Sequence, residues 1–272
     1  MPASLEQIVA ATRQKLRENL LSLNVRQLER AAQGCVPRGF RSALESRSRH
    51  GPAIIAELKK ASPSRGLIRD DFEAGRLAAQ LEAAGAAALS VLTDEEFFQG
   101  SLENLRLARG STKLPCLRKD FIVDHVQILE TRANGGDAIL LIVAALTQSE
   151  LQTLVRQARE YELDVLCEIH DESELQRAAD AGCDLIGVNN RDLRTFKVDP
   201  ETAFRLEKFI PKNALRVAES GIRSPADIVR LRTAGYHAFL IGESLMAAES
   251  PGKALRALLE QSEQLASLRT GN

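Results

Sequence analysis

Residues 182–191 read Gly182-Cys183-Asp184-Leu185-Ile186-Gly187-Val188-Asn189-Asn190-Arg191, and this stretch decides the fold. A glycine closes an amphipathic segment, an apolar run follows, and the run stops on two amides and a guanidinium. Glycine reaches the left-handed conformation that ends a helix without a Cβ penalty. An unbroken apolar run is how a parallel strand buried on both faces reads. The spacing therefore predicts helix, glycine, strand, with polar groups where the strand leaves the core. The same order recurs at Gly85-Ala86-Ala87-Ala88-Leu89-Ser90-Val91, Gly136-Asp137-Ala138-Ile139-Leu140-Leu141 and Gly235-Tyr236-His237-Ala238-Phe239-Leu240-Ile241-Gly242.

Extending the pattern along the chain gives eight strands, near Ala53–Leu58, Leu89–Thr93, Cys116–Lys119, Ala138–Val143, Val165–Ile169, Leu185–Asn189, Leu215–Glu219 and Ala238–Gly242. Helical patterns lie between them, such as Asp124–Asn134 with Val126, Leu129 and Ala133 on one face, and Gln148–Tyr161 with Leu151, Leu154, Val155 and Ala158. Thr147-Gln148-Ser149-Glu150 is a capping-box sequence, and Ser224-Pro225 puts proline at a first helical position. Strict alternation of this kind predicts a closed (β/α)8 barrel, the TIM-barrel class of α/β folds. A doubly wound sheet needs fewer strands and usually a GxGxxG turn after the first, where this chain has Lys60-Ala61-Ser62-Pro63-Ser64-Arg65-Gly66. Residues 1–50 fall outside the repeat, as an N-terminal helical extension of one 1–272 domain. Leu5, Ile8, Val9, Thr12, Leu16, Leu20 and Leu23 recur there at helical spacing. Periodicity alone fits both a plug under the barrel and a lid over its catalytic face.

Composition narrows the function. The chain has 272 residues, 44% apolar and 27% charged, ordinary values for a globular core of this size. A formal net charge of −1 gives no basic footprint, which argues against nucleic acid and against an anionic membrane surface as partners. Cys35, Cys116, Cys167 and Cys183 form no CxxC pair and no zinc spacing with histidine, so buried reduced thiols and no metal are expected. There is no secretory leader pattern and no apolar run long enough to span a bilayer, so a cytoplasmic protein is expected. A second barrel is not expected, and the chain is read as a monomer, with a weak homodimer as the alternative.

The chemistry gathers at strand ends. Glu57 and Lys59 alternate onto one face of the first strand, Lys119 ends the third, Glu168 lies in the fifth, and Asn189 and Arg191 follow the sixth. Inward faces at a barrel's top share one cavity. A structural ring of ion pairs is the plain alternative, because buried lysine and glutamate are seldom unpaired. The mixture of charges favours proton transfer: neighbouring cations lower a lysine's pKa and apolar walls raise a glutamate's, bringing both toward neutrality. An amide at Asn189 orients a hydroxyl or carboxylate, and Arg191 suits a carboxylate or a place at the surface. The last two strands end in small-residue turns at Ser220-Gly221 and Gly242-Glu243-Ser244, where barrels often bind phosphate through backbone N–H groups. Ser62 adds a hydroxyl to that site or simply belongs to a turn. Phe98, Phe121 and Leu193 follow strand ends where an aromatic substrate can pack, in a chain with only 4% aromatics. His50, His125, His170 and His237 form no spaced pair and read as surface or helix-start residues.

These motifs, taken in order, resemble the indole-3-glycerol phosphate synthase family. The likeness runs from about Ile54 to Met246 through Ala56-Glu57-Leu58-Lys59-Lys60-Ala61-Ser62-Pro63-Ser64, Leu117-Arg118-Lys119-Asp120-Phe121, Cys167-Glu168-Ile169, Gly187-Val188-Asn189-Asn190-Arg191-Asp192-Leu193, Ala218-Glu219-Ser220-Gly221-Ile222 and Ile241-Gly242-Glu243-Ser244-Leu245-Met246. The resemblance implies closure of 1-(2-carboxyphenylamino)-1-deoxyribulose 5-phosphate to indole-3-glycerol phosphate with loss of carbon dioxide and water, needing no metal or organic cofactor. By position it implies Lys119 as general acid, Glu168 as general base, and Lys59 as the holder of the anthranilate carboxylate. Glu57 and Asn189 would arrange that network. Ser62, Ser220, Gly221, Gly242 and Glu243 correspond to the phosphate site, with the Glu243 side chain turned away. The rivals are a phosphoribosylanthranilate isomerase, which would place Cys and Asp where Glu57 and Glu168 stand, a Schiff-base aldolase, and a noncatalytic barrel that only binds a metabolite.

Overall fold

The computed structural model describes residues 4–20, 24–192 and 195–270. Leu23, Leu193 and the side chain of Leu20 lie outside the described residues. Eight parallel strands close into a barrel: β1 (Ala53–Leu58), β2 (Ala88–Leu92), β3 (Cys116–Lys119), β4 (Ala138–Ile142), β5 (Asp164–Ile169), β6 (Leu185–Asn189), β7 (Leu215–Glu219) and β8 (Ala238–Ile241). Each strand is followed by a helix: Ala74–Ala83, Leu102–Ser111, His125–Ala133, Gln148–Glu160, Glu172–Asp180, Glu201–Leu206, Pro225–Thr233 and Pro251–Thr270. The (β/α)8 expectation holds. The local signals act where the sequence puts them. Thr147 and Ser224 form capping boxes, and Pro225 opens its helix. Gly85, Gly182 and Gly235 take positive φ at helix ends. In the remaining unit the left-handed residue is Gly135 rather than Gly136. Gly136 serves a close approach instead, since a Cβ there would stand 3.1 Å from the Thr131 carbonyl oxygen.

Alternation along the strands splits the core into two layers. Ile55, Leu117, Leu140, Leu166, Val217 and Leu240 point inward and fill the barrel. Ile54, Leu89, Ile139, Val188 and Phe239 point outward and pack under the helices with Leu77, Leu105, Ile128 and Leu255. Burial of this order, at roughly 25 cal/mol per Å² of apolar surface, is the main drive for closing the sheet. The loop after β1 carries a short antiparallel ribbon, Ala61–Ser62 with Gly66–Leu67, over one side of the mouth.

The N-terminal extension supplies both a plug and a lid, from different segments. Helix Phe40–Ser48 seals the bottom, with Phe40 and Leu44 fully buried against the inward layer. Helix Leu5–Leu20 crosses the opposite mouth, where Leu5 and Ile8 face the cavity. Two ion pairs fasten it there, Arg13 Nη2 to Glu150 Oε1 at 2.8 Å and Lys15 Nζ to Glu95 Oε2 at 2.5 Å. No helix among the described residues is long and apolar enough to cross a membrane.

One expectation fails. Cys167 and Cys183 are joined as a disulfide across a separation of 16 residues, leaving Cys35 and Cys116 free. Cys167 faces outward on β5 beside Ile186 of β6, and Cys183 lies just before β6 begins, so strand pairing brings the two sulfurs together. Chain spacing does not reveal a pair assembled by the sheet.

The plug gives a stability test. Phe40→Ala empties the base of the barrel and is expected to cost about 3–5 kcal/mol, read by denaturant titration. A loss below about 1 kcal/mol would show that the base is held by other contacts.

Candidate active site

Inward alternation carries past the apolar layers to the rim. Glu57 of β1 and Lys59 just past its end, Lys119 of β3, Glu168 of β5, Asn189 of β6 and Glu219 of β7 all share the phase of the inward core residues below them. Register brings them level: Glu57 lies opposite Ser90, Ile142 opposite Glu168, and Asn189 opposite Glu219. They surround a cavity of about 500 Å³. Every expected site residue lines it except Leu193, which is outside the described residues.

The centre of the cavity is an ion network. Lys119 Nζ donates to Glu168 Oε2 at 3.0 Å and stands 3.5 Å from Glu219 Oε2. Lys59 Nζ meets Glu57 Oε1 at 2.5 Å, and Ser90 Oγ donates to Glu57 Oε2 at 3.2 Å. Asn189 Nδ2 donates to Glu168 Oε1 at 3.0 Å. All three carboxylates are buried. Burial opposes the charge on Lys119, but Glu168, Glu219 and Glu57 outweigh it and hold the ammonium above the ordinary lysine range. Burial likewise pushes Glu168 up, but Lys119, His170 and the Asn189 amide carry it below the usual carboxylate range. Glu57 is lowered in the same way, by Lys59 and Lys119 against its burial. Glu219 goes the other way: burial, then repulsion from Glu168 and Glu57, outweighs Lys119 and raises its carboxyl. The expected drift of both residue types toward neutrality is thus corrected for Lys119 and Glu168, because the lysine's neighbours are carboxylates rather than cations.

Neighbouring structure fixes these groups. Arg118, next to Lys119 but facing outward, donates to Asp120 Oδ2 just past β3 at 2.9 Å and ties the strand end to helix His125–Ala133 through the Gln127 carbonyl at 2.9 Å. Gly187 sits opposite Glu168 in β5, and a Cβ there would run into Glu219 Oε1. Gly242 likewise leaves room for Glu57, whose Oε1 would be 2.5 Å from an added Cβ.

One end of the cavity is lined by tight turns. Ser220 and Gly221 both take the left-handed conformation, with φ of 63° and 76°, and a non-glycine residue held there is the kind of strain that clusters at binding sites. Glu243 opens a short helix whose start, Gly242, has no side-chain cap. Ser62 Oγ lies 3.5 Å from Ser64 Oγ beside this turn. The Glu243 side chain does not turn away. Its carboxylate pairs with Arg65 Nε at 3.1 Å and Arg191 Nη2 at 3.7 Å, which brings two guanidinium groups to this end of the cavity. The Arg191 backbone N–H also donates to Asn189 Oδ1 at 3.0 Å.

The other end is apolar. Phe98 and Phe121 rings stand 6.2 Å apart at 40°, near Leu5 and Ile8 of the covering helix. His170 is not a surface residue: its side chain is 14% exposed, with Nε2 3.5 Å from Glu168 Oε1. Sequence reasoning left Glu219, Arg65 and His170 out of the site. Glu219 was the recoverable one, since it closes the Val217-Ala218-Glu219 run in phase with Val217. No group of histidine, cysteine and carboxylate side chains among the described residues is arranged to hold a metal ion.

Known proteins resemble this chain over most of its length. A family model described as indole-3-glycerol phosphate synthase matches residues 5–258, and so takes in the N-terminal helices as well as the barrel. An indole-3-glycerol phosphate synthase of Koribacter versatilis is 58% identical over 259 residues, covering 95% of this chain and 100% of that protein. One from Acidithiobacillus ferrooxidans is 49% identical, covering 93% and 97%. Among solved structures, a thiamine phosphate pyrophosphorylase of Pyrococcus furiosus shares the fold at a TM-score of 0.60 and 15% identity, covering 80% of this chain and 98% of that one.

The packing of Gly187 against Glu219 is open to a double-mutant cycle. Gly187→Ala is expected to cost about 1–3 kcal/mol, and adding Glu219→Ala should recover a large part of it. Strict additivity in denaturant melts would mean that the methyl meets something other than Glu219.

Proposed function

Because the chain belongs to the indole-3-glycerol phosphate synthase family, carboxy-lyases of tryptophan biosynthesis, we propose that its cavity closes the indole ring of 1-(2-carboxyphenylamino)-1-deoxyribulose 5-phosphate. The phosphate sits on the Ser220-Gly221 and Gly242-Glu243 turns with Ser62, and Arg65 and Arg191 leave Glu243 to face it. The aryl ring packs between Phe98 and Phe121, and Lys59 takes its carboxylate. Such a pose sets the ring carbon against the ketone carbon, and held geometry of this kind contributes roughly 7–11 kcal/mol at best.

Lys119 is the general acid. Its ammonium donates to the ketone oxygen as the ring carbon attacks; the new carbon–carbon bond forms, and the carboxyl leaves as carbon dioxide to restore aromaticity. Lys119 regains a proton from solvent water, the hydroxyl departs as water with that second proton, and Glu168 takes the proton lost from the substrate, so that one proton is taken up overall. Glu57 keeps Lys59 in place and Asn189 keeps Glu168 aimed. Glu219, with its carboxyl raised, holds a proton beside Lys119 and limits the negative charge around it. The observation that carries this reading is Lys119 Nζ within reach of both Glu168 and Glu219, in a cavity also lined by the Ser220-Gly221 and Gly242-Glu243 turns and by Phe98 and Phe121. It also weighs against a Schiff-base aldolase, whose lysine must lose its proton to attack a carbonyl. We further propose that the barrel and its N-terminal helices act as one domain in a monomer, in the cytoplasm.

Purified protein should turn the substrate into an indole product with no added metal or cofactor, followed by indole fluorescence. Lys119→Gln should lower kcat by about 10²–10⁴ with little change in KM. A flat trace from the unmodified protein, or full activity in Lys119→Gln, would contradict the assignment. Glu219→Gln keeps a donor beside Lys119 and should retain more activity than Glu219→Ala; equal losses would remove the proton-holding role given to Glu219.

A further inference from the structure

Two carboxylates flank one imidazole just beyond β5. His170 Nδ1 lies 3.0 Å from Glu174 Oε2, and the same oxygen accepts the His170 backbone N–H at 2.8 Å. A carboxylate oxygen only accepts, so Nδ1 carries a hydrogen. On the other edge, Nε2 is buried, has no hydrogen-bond partner, and stands 3.5 Å from Glu168 Oε1. In a neutral ring that edge would be a bare lone pair facing a carboxylate. In the cation it is a second donor.

We propose that His170, held by Glu174, is a positioning residue that becomes the cationic partner of Glu168 when the substrate engages Lys119. The inference rests on reading Glu168 as the base. Glu168 is 1% exposed on its side chain, and an uncompensated charge so buried is costly. Lys119 supplies the compensation at rest, yet it gives up a proton to the ketone oxygen during ring closure, before Glu168 has accepted one. Once it does, the Asn189 amide is a neutral donor, and His170 is the charge left beside Glu168. The acidic groups facing His170 are Glu168, Glu174, Glu219 and the next residue in the chain, Asp171; Glu168 in turn faces Lys119, Glu219 and His170. Burial lowers the His170 pKa, but Glu174, Glu168 and Glu219 outweigh it and favour the charged ring.

A purely structural histidine would cap helix Glu172–Asp180 through Glu174 and leave the proton chemistry alone. The test separates the two by measuring kcat and KM against pH for unmodified protein, His170→Gln and Glu174→Gln, with melting curves for each. Loss of a cation raises the pKa of a neighbouring carboxyl. The acid limb of the kcat profile in His170→Gln should therefore move up by about one pH unit, with kcat down about tenfold and KM nearly unchanged. Glu174→Gln should shift the limb the same way by less, and serves alone if His170→Gln melts early. A substrate-free arm follows the His170 ring by NMR. Its pKa should lie above the ordinary histidine value and fall in Glu168→Gln. Indole formation by the unmodified protein with an unmoved limb in the folded variants would overturn the role of His170 alone. No indole from the unmodified protein would overturn the functional reading, and the NMR arm would still decide the pairing: a ring indifferent to Glu168→Gln overturns it.

Discussion

One ammonium group, Lys119, stands among three buried carboxylates, and the rest of the rim is arranged around that fact. Moving an ion into a protein interior costs several kcal/mol even after relaxation, so neither sign could be placed here alone. Glu168 offers the nearest countercharge, Glu219 shares it from the next position, and Glu57 is largely satisfied by Lys59. Burial and repulsion from Glu168 and Glu57 raise the Glu219 carboxyl and so favour its neutral form. An ammonium in contact with an ionised carboxylate is the arrangement that the proposed acid and base roles require.

The barrel makes that arrangement cheap in sequence. Alternation sends every second residue inward, so an apolar layer and a polar rim are produced by the same strands. Small residues do the rest: Gly187 and Gly242 withhold the side chains that would displace Glu219 and Glu57. Arg118 braces the strand end from outside the barrel, so that the residue beside it can face in. The extension closes both ends, with Phe40 below and Leu5 and Ile8 above, and the upper piece narrows access to the ion network.

Most of this was legible in the chain. Continuous apolar runs ending on charge gave the strands, because a buried parallel strand has no polar face to hide, and the family motifs pointed to the site residues. What stayed hidden depends on the third dimension. The Cys167–Cys183 link joins outward positions on neighbouring units, and no chain spacing encodes it. The charge environment of Lys119 is hidden because its carboxylate neighbours come from strands far apart in sequence. Glu243 and His170 were placed away from the chemistry for a similar reason: their partners, Arg65 and Arg191 in one case and Glu168 in the other, meet them only after strand ends converge on the mouth.

The charge on Lys119 is the point on which the whole account turns, and it can be observed directly by following the Lys119 ammonium resonance against pH in protein with labelled lysine nitrogen. The ammonium form should persist above the pH at which free lysine side chains titrate, and should give way earlier in Glu168→Gln. A Lys119 amine that loses its proton at or below the ordinary lysine value, unaffected by Glu168→Gln, would contradict it.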